Sequence, residues 1–269
     1  MLLREVEYAR PASVPDAVRL LSENEGARAL AGGQTLINVM KARAASPDAL
    51  VDLQDLAELR QIDLAADGTL TLGAMVTYTD VLESAEARAR PILSEVCAEI
   101  ADVQVRNRGT LGGNVCSNDP TNHLPPLMVA LGATMSIAGR EGEREVAARD
   151  FFLGVYMTAV GPGELLTKIS IPAGKGDGFA AVTIGRDGTC IVNAAASMDG
   201  GAQRVALGCV DAVPVVVEPE SADAEAVRAA VRDAGLMPPS DVHASAEYRR
   251  HLAEVLAARA VRQAHERRN

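Results

Sequence analysis

The stretch Arg106-Asn107-Arg108-Gly109-Thr110-Leu111-Gly112-Gly113-Asn114-Val115-Cys116-Ser117-Asn118-Asp119-Pro120 crowds glycines, hydroxyls and amides between a helical pattern and an apolar run. That composition suits backbone wrapped around an anion better than backbone filling a core. Thr110, Asn114 and Ser117 recur about Gly112-Gly113 at spacings that set hydroxyl and amide groups on one side of a loop, and Arg106 and Arg108 supply positive charge nearby. The plainer alternative is a polar surface loop. A second glycine turn, Ala31-Gly32-Gly33-Gln34-Thr35-Leu36, lies far upstream, between a short buried strand at Arg28–Ala31 and a helix beginning at Thr35. Its glycines permit positive φ and close backbone approach, Gln34 and Thr35 add side-chain donors, and the helix start leaves N–H groups free. Alone, such a turn is often geometry only, and it carries neither a G-x-G-x-x-G fingerprint nor a Walker lysine. Two such segments, each at an element boundary, point to one shared diphosphate ligand.

Composition bounds the rest. A chain of 269 residues with 48% hydrophobic content can bury a substantial core and suggests two domains, or one domain with an appendage. No apolar run reaches the roughly 18 residues of a membrane span, and charges interrupt Met1-Leu2-Leu3-Arg4-Glu5-Val6-Glu7 where a signal peptide needs an apolar stretch. A cytoplasmic protein is expected. The formal net charge of -10, with basic residues scattered except at Arg249-Arg250 and the C-terminus, argues against a nucleic-acid partner. Cys97, Cys116, Cys190 and Cys209 form no C-x-x-C pair and read as small buried apolar residues. His123, His243, His251 and His265 make no H-x-x-x-H pattern, so no protein-bound metal is expected. With no Trp, 4 Tyr and 3 Phe, a flavin or base, if bound, would be held by aliphatic side chains and backbone more than by aromatic stacking.

In chain order, a strand at Glu5–Tyr8 precedes a helix that Ser13 caps with Asp16 three residues on, its apolar face being Val14, Val18, Leu20 and Leu21. A third strand at Ala49–Leu53 completes a β-α-β-α-β unit. Ile62–Leu64 and Thr69–Gly73 form a hairpin at Asp67-Gly68, Thr77 caps a short helix to about Glu83, and Pro91 starts a longer one with Ile92, Leu93, Val96 and Ile100 on one face. An apolar helix at Leu124–Leu131 and a hairpin of Thr134–Ile137 with Arg144–Val146 follow. Phe151-Phe152 and Leu165–Pro172 close this larger unit, and Pro172–Gly178 is the linker candidate. Strands at 179–186, 190–198, 202–210 and 213–217, then helices at 221–234 and 245–264, predict an α+β cap.

On these residues the sequence resembles the FAD-binding medium subunits of molybdenum hydroxylases, the relatives of carbon monoxide dehydrogenase and xanthine dehydrogenase. Ala31–Leu36 looks like that family's first diphosphate loop, and Arg106–Asn114 is similar to its second. Phe151-Phe152, Gly163-Glu164-Leu165-Leu166 with Ile169–Pro172, and Ala244–Leu252 match later landmarks, so the likeness spans nearly the whole chain.

The resemblance implies an α+β fold of the vanillyl-alcohol-oxidase type: FAD-binding subdomains at residues 1–55 and 56–172, and a C-terminal α+β domain at 173–269. It implies that Ala31, Gly32, Gly33, Gln34, Thr35 and Leu36, with Gly109, Thr110, Gly112, Gly113, Asn114 and Ser117, hold the diphosphate and ribityl oxygens, and that Ile100, Ala101 and Leu166 line the adenine or ring walls. His123 stands where many members carry an acidic residue on the ribityl chain; it either bonds a ribityl hydroxyl or is an ordinary core or surface histidine. Thr183 stands where a lysine is common on the redox side. The function implied is electron transfer: electrons arrive from the [2Fe-2S] clusters of a small subunit and leave to NAD, a quinone, dioxygen or another acceptor, while a large molybdopterin subunit hydroxylates the substrate. The assembly implied is a dimer of heterotrimers, with no catalytic residue on this chain. The alternative is a free-standing FAD-dependent oxidase or dehydrogenase acting directly on a small organic substrate.

Overall fold

The computed structural model describes residues 3–185, 189–198 and 203–268; positions 186 and 202, where two of the expected strands end and begin, lie outside them. The chain opens with β1 (Glu7–Ala9), α1 (Val14–Glu23), β2 (Ala27–Leu30), α2 (Leu36–Lys41) and β3 (Ala49–Asp52). Ser13 caps α1 by accepting from the Asp16 N–H, and Ala17, Val18 and Leu21 turn inward. Both helices are crossovers between parallel strands, so the strands assemble in the order β1-β3-β2 with β3 central. Every residue of β3 is buried, and Ala49 and Val51 join Ala17, Val18 and Leu21 in one cluster that Leu56, Leu59, Met75 and Leu165 complete.

Next come β4 (Ile62–Leu64), β5 (Leu70–Gly73), α3 (Tyr78–Glu83), α4 (Pro91–Glu99), α5 (Val103–Arg106), α6 (Leu111–Ser117) and α7 (Leu124–Leu131). Then follow β6 (Thr134–Gly139), β7 (Gly142–Ala147), α8 (Ala148–Phe151), β8 (Phe152–Gly154), β9 (Met157–Thr158) and β10 (Leu165–Ile171). Five of these strands pair antiparallel in the order β4-β5-β10-β6-β7, with β10 closing between two hairpins. The expected hairpin at Asp67-Gly68 is present, Gly68 holding φ 84°, and Thr77 caps α3 in a reciprocal capping box with Asp80. The whole of α7 is buried, as its unbroken apolar sequence requires.

The last third is a meander, β11 (Asp177–Thr183), β12 (Cys190–Ser197), β13 (Arg204–Gly208) and β14 (Val215–Val217), followed by α9 (Ala224–Asp233) and α10 (Ala246–Arg268). Strand alternation sends Val192, Ala194 and Ala196 to one face, where Ala253, Ala257, Ala260 and Ala264 of α10 meet them. Phe179, Ala195 and Ala206 join the other cluster, which holds α7. Small residues on both sides let the layers close: a Cβ on Gly178 would sit 1.9 Å from the Ala260 carbonyl oxygen. The linker expected at Pro172–Gly178 is only partly a linker. Asp177 and Gly178 belong to β11, and Arg90 grips Asp177 through two bonds of 2.6 and 2.7 Å, both groups being buried. The same guanidinium donates to the Pro172 carbonyl. Among the described residues no helix is long and apolar enough to cross a membrane.

Candidate functional site

The second glycine segment is a helix, not the loop its composition suggested. Thr110, extended and buried, is the N-cap of α6, and its hydroxyl accepts from the Gly113 N–H at 3.0 Å. The first turn spends its remaining donors on the protein: Leu111 N–H goes to the Val76 carbonyl and Gly112 N–H to that of Ala74. Gly109 and Gly112 are needed for packing, since a Cβ would lie 2.7 Å from the Tyr78 ring or 2.6 Å from Ala74. Thr110, Asn114 and Ser117 do share a side, because residues four and then three apart stack along a helix. Ser117 donates to the Asn114 carbonyl and accepts from Asn122, which occupies its hydroxyl. Asn114 donates to the Tyr78 hydroxyl at 2.9 Å, while its Oδ1 is buried with no partner among the described residues. Burial pushes the Tyr78 phenol up, so it keeps its proton.

The first segment behaves oppositely. It is the β2-to-α2 turn, with Gly33 at φ 73°, and among the described residues nothing accepts from the backbone N–H of Gly32, Gly33, Gln34 or Thr35. Thr35 is the N-cap of α2 without making a side-chain cap bond. Gln34 bends back to the Gly32 carbonyl, and Asn38 donates to that of Gln34. A cleft of about 250 Å³ opens here, walled by Ala31–Gln34, Ile37, Asn38, Lys41, Asp52 and Arg108. Both Asp52 oxygens are engaged, by the Gln54 N–H and the Tyr8 hydroxyl, so the carboxylate has partners of its own beside the two cations.

The two segments touch. A Cβ on Gly32 would lie 2.0 Å from the Arg108 carbonyl oxygen and 3.0 Å from Gly109 Cα. Gly113 faces Ala31, whose Cβ would be 3.7 Å from its own. One edge of the pair therefore presents unpaired backbone donors, the other side chains and Arg108.

Other expected positions fall elsewhere. Arg106, expected to lend charge to an anion, instead donates to the carbonyls of Ile100 and Ala101, pinning the turn in which Ala101 takes φ 45°. Ile100 packs half-buried against the large cluster, and Leu166 is a buried residue of β10 paired with Ile137. His123 is 7% exposed, its ring tilted against Phe179 at 5.3 Å and its Nδ1 3.3 Å from the Asn193 amide nitrogen. Asn193 also donates to the Asn122 carbonyl, and Asn122 donates to the Asn114 carbonyl, so a polar thread joins His123 to α6. Thr183 caps its own turn by donating to the Gly185 carbonyl. Sequence reasoning overlooked Ile37, Asn38 and Lys41; spacings of three and four from Gln34 along α2 are the signal that could have found them.

A glycine-lined cleft with free N–H groups and two cations, beside a helix whose Asn114 amide oxygen is left over, fits a phosphorylated ligand with polar oxygens beyond its phosphates. Residues 4–174 match the family described as FAD binding domain in molybdopterin dehydrogenase. The chain is 40% identical, over 98% of each chain, to the carbon monoxide dehydrogenase medium chain of Afipia carboxidovorans. It is 33% identical to the nicotine 6-hydroxylase medium subunit of Paenarthrobacter nicotinovorans, over 97% of this chain and 98% of that one. Among solved structures, quinoline 2-oxidoreductase from Pseudomonas putida 86 superposes with a TM-score of 0.90 at 35% identity, covering 100% of both chains.

Proposed function

Because the chain belongs to the family of FAD-binding domains of molybdopterin dehydrogenases, we propose that its two touching glycine segments clasp the diphosphate of FAD. The observation that carries this reading is the contact itself: Gly32 lies against the Arg108–Gly109 backbone with no room for a Cβ, beside four unpaired backbone N–H groups. The N–H groups of Gly32, Gly33, Gln34 and Thr35, the Thr35 hydroxyl, Lys41 and Arg108 would hold the phosphates. The orphaned Asn114 Oδ1 would accept from a ligand hydroxyl. Gly109 and Gly112 support from behind, by letting α6 pack on Ala74 and Tyr78.

The chain is an FAD-binding oxidoreductase subunit, and the bound flavin supplies the ability to take electrons and pass them on. In this reading the electrons come from the [2Fe-2S] clusters of a small partner and go to NAD, a quinone, dioxygen or another acceptor. A large molybdopterin partner hydroxylates the substrate, the complex is a dimer of heterotrimers, and it resides in the cytoplasm. The test is isolation of the complex from cells expressing the chain with its natural partners. The expected result is one FAD per chain, recovered with an iron-sulfur and a molybdenum subunit. An isolated chain that oxidises an organic substrate unaided would contradict it.

A further inference from the structure

Beside His123, two thiols meet. Cys190 opens β12 and Cys209 follows β13, both buried. Strand alternation alone would turn Cys190 away from Asn193. A bulge intervenes, since Val182 pairs with Val192 but Thr183 pairs with Cys190, and the extra residue, Ile191, flips Cys190 onto the Asn193 face. Cys209 takes φ 66°, which turns the chain just after Gly208, the residue opposite Asn193. Arg249 fixes both sites by donating to the carbonyls of Ile191 and Cys209, and it is itself paired with Asp241. As a result the Asn193 amide nitrogen lies 3.5 Å from the Cys190 sulfur and 3.8 Å from the Cys209 sulfur.

The polar accounting is unusual. That nitrogen has two hydrogens, and four acceptors surround it: the Asn122 carbonyl, His123 Nδ1 and the two sulfurs. The Cys190 thiol itself donates to the Val182 carbonyl at 3.7 Å. Loss of that proton is favoured first by the neighbouring Cys209 thiol and then by His123 and Asn193, which hold Cys190 well below the usual thiol range, while Cys190 and burial raise Cys209. Burial pushes the thiols of Cys97 and Cys116 up to about 12. Cys190, Cys209 and His123 are not disposed to hold a metal ion.

We propose that Cys190 and Cys209 are an oxidation site that takes hydrogen peroxide and closes to a disulfide, changing the support of His123 and α6. The Cys190 thiolate attacks one peroxide oxygen; the O–O bond breaks, hydroxide leaves and takes up a proton, and Cys190 becomes a sulfenic acid. The Cys209 sulfur then attacks the Cys190 sulfur, the S–S bond forms as the S–O bond breaks, and the departing oxygen leaves as water with the Cys209 proton. Two thiols and one peroxide give one disulfide and two waters. The disulfide removes the charge from the Cys190 sulfur and leaves the Asn193 hydrogens to Asn122 and His123, so the thread from Asn193 through Asn122 to the Asn114 carbonyl is redrawn. Only this consequence rests on the flavin reading; the thiol chemistry does not.

The full-length protein as isolated, with its flavin, is treated with hydrogen peroxide, denatured, alkylated and digested with trypsin. Arg204 lies between the two cysteines, so they fall on different peptides. The expected result is one cross-linked Cys190–Cys209 peptide pair, with Cys97 and Cys116 still alkylated. In Cys209→Ser the expected product is a dimedone adduct at Cys190; in Cys190→Ser, all remaining thiols stay alkylatable. Oxidation of Cys190 and Cys209 no faster than that of Cys97 and Cys116, or a stable Cys190 sulfenic acid in the wild type, would overturn the site. Flavin affinity, measured on the cross-linked protein, is expected to fall severalfold and to recover on reduction. An unchanged Kd in protein shown to carry the disulfide would overturn the coupling to α6 while leaving the thiol site standing.

Discussion

At the scale of single residues, glycines in this chain do two different jobs. Gly109 and Gly112 make room for neighbouring protein, whereas Gly32 makes room for the other glycine segment. Sequence alone does not separate these jobs, because the absence of a Cβ is the same wherever it is needed. Asn114 is more telling, for its Oδ1 is buried and has no partner among the described residues. Asn114→Ala is expected to weaken FAD by about 1–2 kcal/mol, checked by titrating FAD into the flavin-free protein. His123 is a buried residue tilted against Phe179 and joined to α6 through Asn193 and Asn122. His123→Ala is expected to raise the Kd for FAD roughly fivefold, about 1 kcal/mol, and an unchanged Kd would make it a core residue only.

At the scale of elements, hydrophobic period and capping made most boundaries legible. Ser13, Thr77 and Pro91 start helices where their chemistry calls for it, and Gly68 turns its hairpin. The segment after Thr110 misled because Gly112-Gly113 lower helix propensity, yet the Thr110 cap and the close packing on Ala74 hold a helix regardless. The tight bend before β10 depends on Glu164, which receives two bonds from Arg144 and one from the Gly161 N–H. The Arg144 guanidinium, ahead of the Gly161 N–H, holds the Glu164 carboxyl below the usual carboxylate range. A carboxylate with a depressed folded pKa stabilises above its unfolded pKa and loses that contribution as pH falls through the folded value. Glu164→Gln should therefore lower thermal stability at neutral pH by no more than about 1 kcal/mol, with wild type and variant converging as the pH drops below about 4. A gap that persists in acid would place the effect in packing instead.

At the scale of the whole molecule, the parallel unit, the two hairpins and the strands of the last third were legible, but the sheet that joins the hairpins through β10, and the joints between units, were not. Pro172–Gly178 has the composition of a linker, and composition is blind to the arginine 87 positions away that buries its charge on Asp177. Breaking that pair strands a charge in an apolar joint. Asp177→Ala is expected to cost about 3–5 kcal/mol in denaturant unfolding, and Arg90→Met with Asp177→Leu less than either single change predicts. The meander is held between α7 and α10, and this sandwich carries Asn193 to His123. Likewise no local pattern says that residues 32 and 108 touch; two glycine segments at element boundaries suggested a shared ligand, and the resemblance to a known family paired them too. The flavin clasp depends on that contact, and flavin content of purified Gly32→Ala tests it most directly, with circular dichroism to show that the variant is folded. The expected result is a folded protein that has lost its FAD and cannot take it up again, against one FAD per chain in the wild type. A folded Gly32→Ala that keeps stoichiometric flavin at wild-type affinity would contradict it.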